Sequence, residues 1–450
     1  MKRIIIQFGG TGDLALKKLY PAYQHLMEKE FPFEVLSLGR RYTTREEFLA
    51  NSVDSDAPSS FTDHLDYLYY DMAEANVVAL LSAKLKEMVG TETEVEFIYY
   101  LALQPSLYED AIHQIKEVDA SLDCVCTLTK KIVVEKPFGF DLESAERYNE
   151  ILEKAFTDKE IFRVDHYLGK EFMQNLLLMR FHNDIIRRIW DNRTIESIQI
   201  IFDETHGVDQ RLGFYEKIGV VRDTIQNHIM QIITYLTMSE PASLSPEDIA
   251  VEKEKVLRSI SSVEDYHMGR YESLGVNSGH VVQTPTYAAF KLFVNTYYFA
   301  DIPIYVRTGK MQKEAKSLIY IKFKNITKEV MHDQGIAENA VIITIHPELT
   351  IDISMNLKMP NTSWKSKPVR FRFNQSETFG VNTPEAYEQI VQKILIGDKS
   401  LFPTMKEITE SWRIVEPMLA EEQDVEVYPI RTLPRFATQL AKENNFTWFD

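Results

Sequence analysis

Residues 4–26 read IIIQFGGTGDLALKKLYPAYQHL. The run Ile4–Phe8 has the length and apolar character of a buried strand, and it stops at a glycine-rich turn. Apolar residues then return at helical spacing, namely Leu16, Leu19, Tyr23 and Leu26. A second apolar run, Phe33–Leu38, follows, so that strand, turn, helix and strand fit within about 35 residues. This order is typical of one βαβ unit of a parallel sheet.

The glycine-rich turn fits two motif registers. Gly10, Gly12 and Ala15 fit G-x-G-x-x-A, whereas Gly9 and Gly12 fit G-x-x-G, and the sequence does not choose between them. In either register, residues without a Cβ let backbone N–H groups approach a pyrophosphate at a helix N-terminus. The predicted dinucleotide contacts are Gly9, Gly10, Thr11, Gly12, Asp13 and Leu14.

Two arginines follow the second predicted strand. An NAD site usually has Asp or Glu there, where it accepts hydrogen bonds from the ribose hydroxyls. This chain has Gly39-Arg40-Arg41 instead, and the next acid is Glu46. Because guanidinium groups suit a 2′-phosphate, Arg40 and Arg41 favour NADP, with NAD as a weaker alternative. The competing interpretation is a pair of solvated arginines.

The remaining pattern indicates two domains. Strand-like runs at 97–103 and 131–134 alternate with helical stretches, which predicts an α/β Rossmann-type domain with helices on both faces of the sheet. From Thr194 onward, strand-like segments share the chain with a helix around 224–238. We place the boundary near 160–175, which gives a dinucleotide-binding domain at 1–165 and a larger β+α domain at 166–450.

Composition limits the partners. The chain has 450 residues and a net charge of -17, so nonspecific binding to nucleic acid or to an anionic membrane is not expected. No apolar stretch approaches the length of a membrane span or of a signal peptide. Cys124 and Cys126 are too close in sequence for an ordinary disulfide and indicate reduced thiols. A cytosolic protein is expected.

The most polar candidate segment is RVDHYLGKE at 163–171, which is too polar for a core. Asp165 can orient a base, while His166 and Lys170 can hold an anion. These side chains predict a pocket for a small charged molecule, against the alternative of a solvated turn. A ligand cleft between domains is expected there.

The segment EKPFG at 135–139 follows a predicted strand, and ligands bind at that edge of open α/β sheets. Pro137 biases Lys136 toward an extended conformation, from which its ammonium can reach both cofactor and substrate. A plain strand-exit turn is the alternative.

The second half of the chain contributes a helix surface. Asp223, Asn227 and His228 lie on adjoining parts of it by their spacing, and neighbouring isoleucines place His228 at the edge of a buried face. A lone histidine in such a place is more often a core residue than a base. Glu204–Arg211 supplies acceptors after a strand, and Arg307–Lys310 is a basic turn. No metal-ligand spacing, nucleophile elbow or P-loop is present in the sequence.

Together these blocks resemble the glucose-6-phosphate dehydrogenase family. The resembling blocks occur in the family's order along nearly the whole chain: GGTGDLALKKLYPA at 9–22, YYLALQP at 99–105, VVEKPFGFDLESA at 133–145, RVDHYLGKEFMQN at 163–175, RDTIQNHIMQ at 222–231, TPTYAAFKLFVN at 284–295, IPIYVRTGK at 302–310, PEAYEQIV at 384–391 and SWRIVEP at 411–417. The resemblance implies a Rossmann-type NADP domain and a larger β+α domain. The mostly antiparallel sheet of that second domain commonly forms a dimer interface, so a homodimer or homotetramer is implied.

The resemblance also implies a reaction, the oxidation of D-glucose 6-phosphate to its lactone as the first step of the oxidative pentose phosphate pathway. By position, His228 matches the general base and Asp165 the carboxylate that orients it. The implied phosphate contacts are His166, Tyr167 and Lys170, and the implied sugar contacts are Glu204, Asp223 and Lys310. Lys136 matches a lysine shared by substrate and cofactor.

Three positions depart from the family pattern. Ala315 stands where a second Lys or Arg is usual, and Lys313 and Lys316 are the candidate replacements. Gln104 replaces the first proline of a Pro-Pro pair. Two residues are missing after Gly39, so the sequence does not tell which neighbouring arginine meets the 2′-phosphate.

Two other functions share part of this pattern. One is an oxidoreductase acting on unphosphorylated sugars or inositols, which also has Glu-Lys-Pro after a strand. The other is a regulator that binds NADP(H) without turnover. The candidate base and its carboxylate argue against the regulator, because a sensor needs no proton acceptor.

Overall fold

The computed structural model describes residues 1–54, 56–122, 127–208, 211–275, 282–325, 337–363, 365–380, 385–419 and 425–450. The cysteine pair Cys124 and Cys126 lies outside these residues. The chain forms two compact units, one made of Met1–Lys170 with Pro384–Met405 and one made of Glu171–Thr383 with Lys406–Asp450.

The first unit is built on six described strands, all parallel. They are β1 (Lys2–Phe8), β2 (Glu34–Gly39), β3 (Leu65–Tyr69), β4 (Glu94–Leu101), β5 (Thr127–Glu135) and β6 (Ile161–Val164). Their order, β3-β2-β1-β4-β5-β6, is that of a Rossmann fold, in which ligands bind where the order reverses between β1 and β4. The predicted α/β class of this half is therefore confirmed.

Helices connect these strands. They are a π-helical turn (Ala15–Leu19) that runs into α1 (Tyr20–Glu28), then α2 (Arg45–Ser52), α3 (Ser59–Thr62), α4 (Val77–Val89), α5 (Tyr108–Leu122) and α6 (Leu142–Glu153). A 3-10 turn, Pro105–Leu107, precedes α5. Ile4, Ile6 and Phe8 of β1 are buried in a core with the apolar faces of α4 and α5. The apolar run that predicted a strand is thus the centre of the sheet.

The second unit is built on a mixed sheet of nine described strands. They are β7 (Ile195–Asp203), β8 (Glu264–Tyr271), β9 (Tyr287–Phe293), β10 (Pro303–Gly309), β11 (Lys316–Phe323), β12 (Ala340–His346), β13 (Thr350–Lys358), β14 (Ser366–Asn374) and β15 (Val425–Tyr428). Within this sheet, as far as the structure describes it, only the β7–β10 and β8–β15 pairs are parallel. A mostly antiparallel sheet is therefore confirmed.

Helices of the second unit lie between these strands. They are α7 (Glu171–Phe181), α8 (Asp184–Arg188), α9 (Leu212–Val220), a π-helix (Val221–Ile229), α10 (Met230–Thr237), α11 (Pro246–Ser259) and α12 (Gln375–Phe379). The π-helix and α10 form one rod whose residues from Thr224 to Thr237 are all buried. The predicted helix around 224–238 is therefore present, but its first part is wound as a π-helix.

A late segment returns to the first unit. Helix α13 (Ala386–Ile396) packs on α1, and Lys29 forms an ion pair with its buried Glu388. By packing, this segment belongs with the dinucleotide domain, although a linear division at residue 165 puts it with the second. The chain ends in the second unit with α14 (Met405–Val415), a 3-10 turn (Glu416–Leu419) and α15 (Arg435–Glu443).

Within the described residues, no helix combines the length and the apolar character needed to cross a bilayer.

Candidate active site

The turn after β1 forms a cradle that glycine alone fits. Gly9 has φ of +73°, and a Cβ there would come within 2.4 Å of the Ala102 carbonyl oxygen. A Cβ at Gly10 would lie 1.9 Å from the Ser37 hydroxyl oxygen. The Gly12 N–H donates to the Gly9 carbonyl at 2.9 Å, which closes the turn. Both registers left open by the sequence thus share the same tight loop.

A cavity of about 540 Å³ opens beside this cradle. Among its lining residues are Gly9, Thr11, Gly12, Arg40 and Arg41, together with Met72 and Ala73 after β3. The cradle and the cavity fit a dinucleotide, with backbone N–H groups near the pyrophosphate. Of the other predicted contacts, Gly10 lies beneath the loop, and Asp13 and Leu14 begin the helical turn.

Arg40 and Arg41 are both exposed at the end of β2. Arg41 interacts electrostatically with Asp13 at the glycine loop, and Arg40 interacts with Tyr69 at the end of β3. In the described part of the chain, neither guanidinium forms an ion pair at contact distance. Both are therefore available to an anionic group in the cavity.

The segment RVDHYLGKE at 163–171 is more buried than its sequence indicates. Arg163 and Asp165 are 2% and 1% exposed, so the expectation that this stretch is too polar for a core was wrong. Its polar groups are buried because they are bonded: Arg163 donates to Asn149 on α6 and Asp158, and Asp165 Oδ1 accepts the Tyr167 N–H at 3.0 Å. The segment therefore begins in β6 and continues, from Asp165, as a fixed turn.

Three predicted phosphate-binding side chains cluster in this turn. The Lys170 ammonium lies 3.7 Å from the centre of the Tyr167 ring, and the rings of His166 and Tyr167 are 5.2 Å apart. Burial lowers the pKa of Lys170 to about 8, although the nearby Asp165 carboxylate acts in the opposite direction. The first unit therefore brings these three side chains together beside Asp165.

Helix α13 adds a residue that sequence reasoning did not select. Tyr387 stacks on His166, with ring centres 6.2 Å apart and planes 10° apart. A Cβ at Gly169 would lie 2.6 Å from the Ala386 carbonyl oxygen, so Gly169 lets the helix approach. Tyr387 lies in the block PEAYEQIV, and only that resemblance signalled the segment.

Lys136 follows β5 and is half-buried, and its peptide bond to Pro137 is cis. The residue before it, Glu135, is 8% exposed and accepts a hydrogen bond from the Tyr100 hydroxyl at 2.6 Å. Burial raises the pKa of Glu135 to about 7, against the lowering effects of Tyr100 and Lys136. A carboxyl that titrates near neutral pH is typical of functional sites.

The second unit carries the candidate base. His228 is 4% exposed on the π-helix that also carries Asp223. A π-helix pairs residues i and i+5, which is the spacing of Asp223 and His228. Asn227 is anchored by donating to the Arg222 carbonyl at 2.8 Å, and it accepts the His228 N–H at 2.7 Å. Single π-helical turns are frequent at functional sites.

Lys310 links the predicted sugar contacts. Its ammonium lies 2.9 Å from Glu204 Oε1 and 3.1 Å from Asp223 Oδ2. Burial alone would lower the pKa of Lys310, but the two carboxylates outweigh burial and raise it. The Lys310 carbonyl accepts from the Tyr428 hydroxyl at 2.9 Å, which fixes the turn after β10. This unit therefore brings together a cation, two carboxylates and the π-helix of His228.

The structure describes the surroundings of two positions that depart from the family pattern, Ala315 and Gln104. Of the two lysines near Ala315, Lys316 pairs with Asp450 at 3.3 Å and Lys313 is exposed. Gln104 is exposed, and its carbonyl accepts the Leu107 N–H at 2.9 Å.

Comparison with known proteins agrees with this architecture. Residues 5–175 match the glucose-6-phosphate dehydrogenase NAD binding domain, and residues 177–449 match the C-terminal domain of the same family. The glucose-6-phosphate 1-dehydrogenase of Bacillus subtilis is 33% identical over 445 residues, which cover 92% of this chain and 90% of the relative. That of Borreliella burgdorferi is 32% identical over 448 residues, covering 94% and 92%.

Solved structures give the same result. A glucose-6-phosphate dehydrogenase in complex with its substrate glucose-6-phosphate superposes with a TM-score of 0.91 at 28% identity, covering 100% of this chain and 99% of that one. Glucose-6-phosphate 1-dehydrogenase from Mycobacterium avium superposes with a TM-score of 0.85 at 25% identity, covering 100% and 98%. The chain therefore belongs to the glucose-6-phosphate dehydrogenase family of oxidoreductases.

Proposed function

We propose that this enzyme oxidises D-glucose 6-phosphate to 6-phospho-D-glucono-1,5-lactone with hydride transfer to NADP, the first step of the oxidative pentose phosphate pathway. The observation that carries the proposal is the full-length superposition on a relative that was solved in complex with its substrate glucose-6-phosphate. The cysteine pair, interpreted as reduced thiols, favours the cytoplasm as the compartment.

His228 acts as the general base and takes the proton from the anomeric hydroxyl. Hydride leaves that carbon readily only as the proton leaves the oxygen, and an imidazole titrates near neutral pH. Asp165 orients the imidazole and offsets its new positive charge, as the carboxylate does in serine-protease triads. Its rigid turn after β6 supports this positioning role. Bound NADP supplies the hydride acceptor.

Substrate positioning is divided between two groups of side chains. His166, Tyr167 and Lys170 hold the phosphate, and Glu204, Asp223 and Lys310 contact the sugar. Lys136, at the carboxyl edge of the first sheet, serves substrate and cofactor. Orientation of this kind supplies much of the rate enhancement in two-substrate reactions.

Initial rates with NADP and NAD, measured with a panel of sugars and sugar phosphates, test this function. Reduction of NADP with glucose 6-phosphate, and far slower rates with glucose or inositol, is the expected result. Equal rates with phosphorylated and free sugars would favour an oxidoreductase of unphosphorylated sugars. NADP binding without turnover of any sugar phosphate would favour a regulator.

The pKa of Lys170 predicts an alkaline limit on substrate binding. Because that pKa is lowered to about 8, the ammonium loses its charge as the pH rises above 8. We expect the KM for glucose 6-phosphate to rise there by at most about tenfold per pH unit, since the charged fraction falls in that proportion. Lys170→Arg keeps its charge, so its KM should lack this alkaline rise. An identical rise in both enzymes would remove Lys170 from the phosphate site.

We also propose a homodimer, itself the unit of any tetramer, formed through the outer strands of the second sheet. Met355 and Leu357 of β13 and Val369 and Phe371 of β14 are 38–51% exposed and form one apolar face. An exposed apolar patch of this kind marks an interaction site in a soluble protein. The partner is a second copy, because the resemblance implies assembly through this sheet.

Phe371→Glu tests the dimer. A carboxylate buried without a partner in the interface should raise the dissociation constant by about 100-fold or more, which light scattering after size exclusion measures. The matched control is Ile185→Glu on α8, which places the same charge at an apolar residue that is 78% exposed. If Phe371→Glu has the mass of the unmodified protein at every concentration, this face is not the interface.

A further inference from the structure

Glu135 is a buried carboxyl group to which no step of the reaction has been assigned. It is the last residue of β5 and is 8% exposed. The Tyr100 hydroxyl donates to Oε1 at 2.6 Å, and the Tyr387 hydroxyl donates to Oε2 at 3.5 Å. The Tyr108 hydroxyl donates to the Glu135 carbonyl at 3.2 Å. The residue is therefore held by hydroxyls from β4, α5 and α13.

These contacts lead directly to two candidate substrate ligands in the first unit. Lys136 is the next residue in the chain and interacts electrostatically with the Glu135 carboxyl. Tyr387, which donates to Oε2, stacks on His166. A structural change at Glu135 is therefore transmitted to Lys136 through the backbone and to His166 through the ring of Tyr387.

We propose that Glu135 is a positioning residue whose ionised carboxylate, by accepting the Tyr100 and Tyr387 hydroxyls together, holds Lys136 and His166 in the geometry that binds substrate. The inference rests on the proposed function, because it assigns a consequence for glucose 6-phosphate binding. Glu135 itself touches neither substrate nor cofactor in this scheme.

The two protonation states differ in what they can accept. A carboxylate accepts at both oxygens, and hydrogen bonds to an ionised acceptor are roughly twice as strong as neutral ones. A protonated acid accepts at one oxygen and donates from the other, so it cannot accept both tyrosine hydroxyls equally. The contact of Tyr387 is the longer one and is the first to be lost. Protonation therefore loosens the ring that stacks on His166.

This change of protonation state falls near neutral pH. The pKa of Glu135 is raised to about 7, chiefly by burial, so the group is ionised above pH 7 and protonated below it. The titratable groups that interact with it are Tyr23 of α1, Tyr100 of β4, Tyr108 of α5, Lys136, Asp165 after β6 and Tyr387 of α13. Asp165 raises the pKa of Glu135, while Tyr100, Lys136 and Tyr387 lower it.

Glu135→Gln tests the proposal, because glutamine resembles the protonated acid in shape and in having an acceptor oxygen at one position and a donor group at the other. We expect the KM for glucose 6-phosphate to be about tenfold above that of the unmodified enzyme at pH 9, the scale of one charge-assisted hydrogen bond. At pH 6 the two values should converge, and kcat should change little at either pH. The ratio of the two KM values cancels the titration of the substrate phosphate and of Lys170, since both enzymes share them.

A second variant is expected to shift the pH at which KM changes, whereas Glu135→Gln abolishes that change. Tyr100→Phe removes a hydrogen bond that lowers the pKa of Glu135, so the pH at which KM changes should rise. Infrared difference spectra of the enzyme without substrate provide a readout independent of activity. They should show a buried carboxylic acid that ionises near pH 7 in the unmodified enzyme and is lost in Glu135→Gln.

The outcomes separate this inference from the proposed function. A KM ratio that is constant with pH, or a fall in kcat and thermal stability without convergence at pH 6, would show a purely structural role and overturn the inference. Absence of turnover by the unmodified enzyme would instead overturn the proposed function. The infrared titration would then still decide whether Glu135 ionises near neutral pH.

Discussion

Replacing His228 by asparagine is expected to lower kcat by about 10²–10⁴-fold, the contribution of a positioned general base. The KM for glucose 6-phosphate should change little, because the proposed phosphate and sugar contacts lie on other side chains. Asparagine keeps a polar group of similar size in a buried place, so the helix is expected to fold.

The matched control is His267→Asn on β8. His267 stacks against Phe436 of α15 and belongs to none of the proposed contacts. The His267→Asn variant should have a kcat within about twofold of that of the unmodified enzyme, because substitutions away from a functional site generally have small effects. If His228→Asn keeps most of its turnover, the proton acceptor is another group and the proposed orienting role of Asp165 is refuted as well.

The first half of the fold was predictable because its signals are local. The β1 run, the glycine turn and the α1 pattern lie within one βαβ unit, and the structure confirms them. The strand pairing of the second sheet could not be predicted from local signals of this kind. β7 pairs with β10, about 100 residues later in the chain, and no periodicity within either strand reports such a partner. Its mostly antiparallel character came from the family resemblance.

The candidate site was predicted unevenly for a related reason. Asp165, His166 and Lys170 stood out because polar types cluster there in sequence. Tyr387 did not, because its relevance arises from stacking on His166, which lies far from it in sequence. The burial of Arg163 was missed as well, since a polar residue is buried only where distant segments supply its hydrogen bonds.

Replacing Arg40 and Arg41 together by alanine is expected to raise the KM for NADP by about 100-fold. Both side chains line the dinucleotide cavity, and the first acid that follows them is Glu46. Two charge-assisted contacts to a 2′-phosphate account for an effect of this size after screening by solvent. NAD lacks that phosphate, so the KM of the variant for NAD should stay within about twofold of that of the unmodified enzyme. The measurement is the pair of KM values at fixed, saturating glucose 6-phosphate.

The double variant Arg187→Ala with Arg188→Ala is the control, because it removes the same two charges from a pair of neighbouring arginines on α8. In the part of the chain that the structure describes, neither Arg187 nor Arg188 lines the dinucleotide cavity. Equal effects on NADP and NAD in the Arg40 and Arg41 variant would refute a 2′-phosphate role and indicate damage to the cradle. The single variants then separate the arginines. Arg41 interacts with Asp13 at the glycine loop and Arg40 with Tyr69, so the larger loss identifies which side of the cavity holds the phosphate.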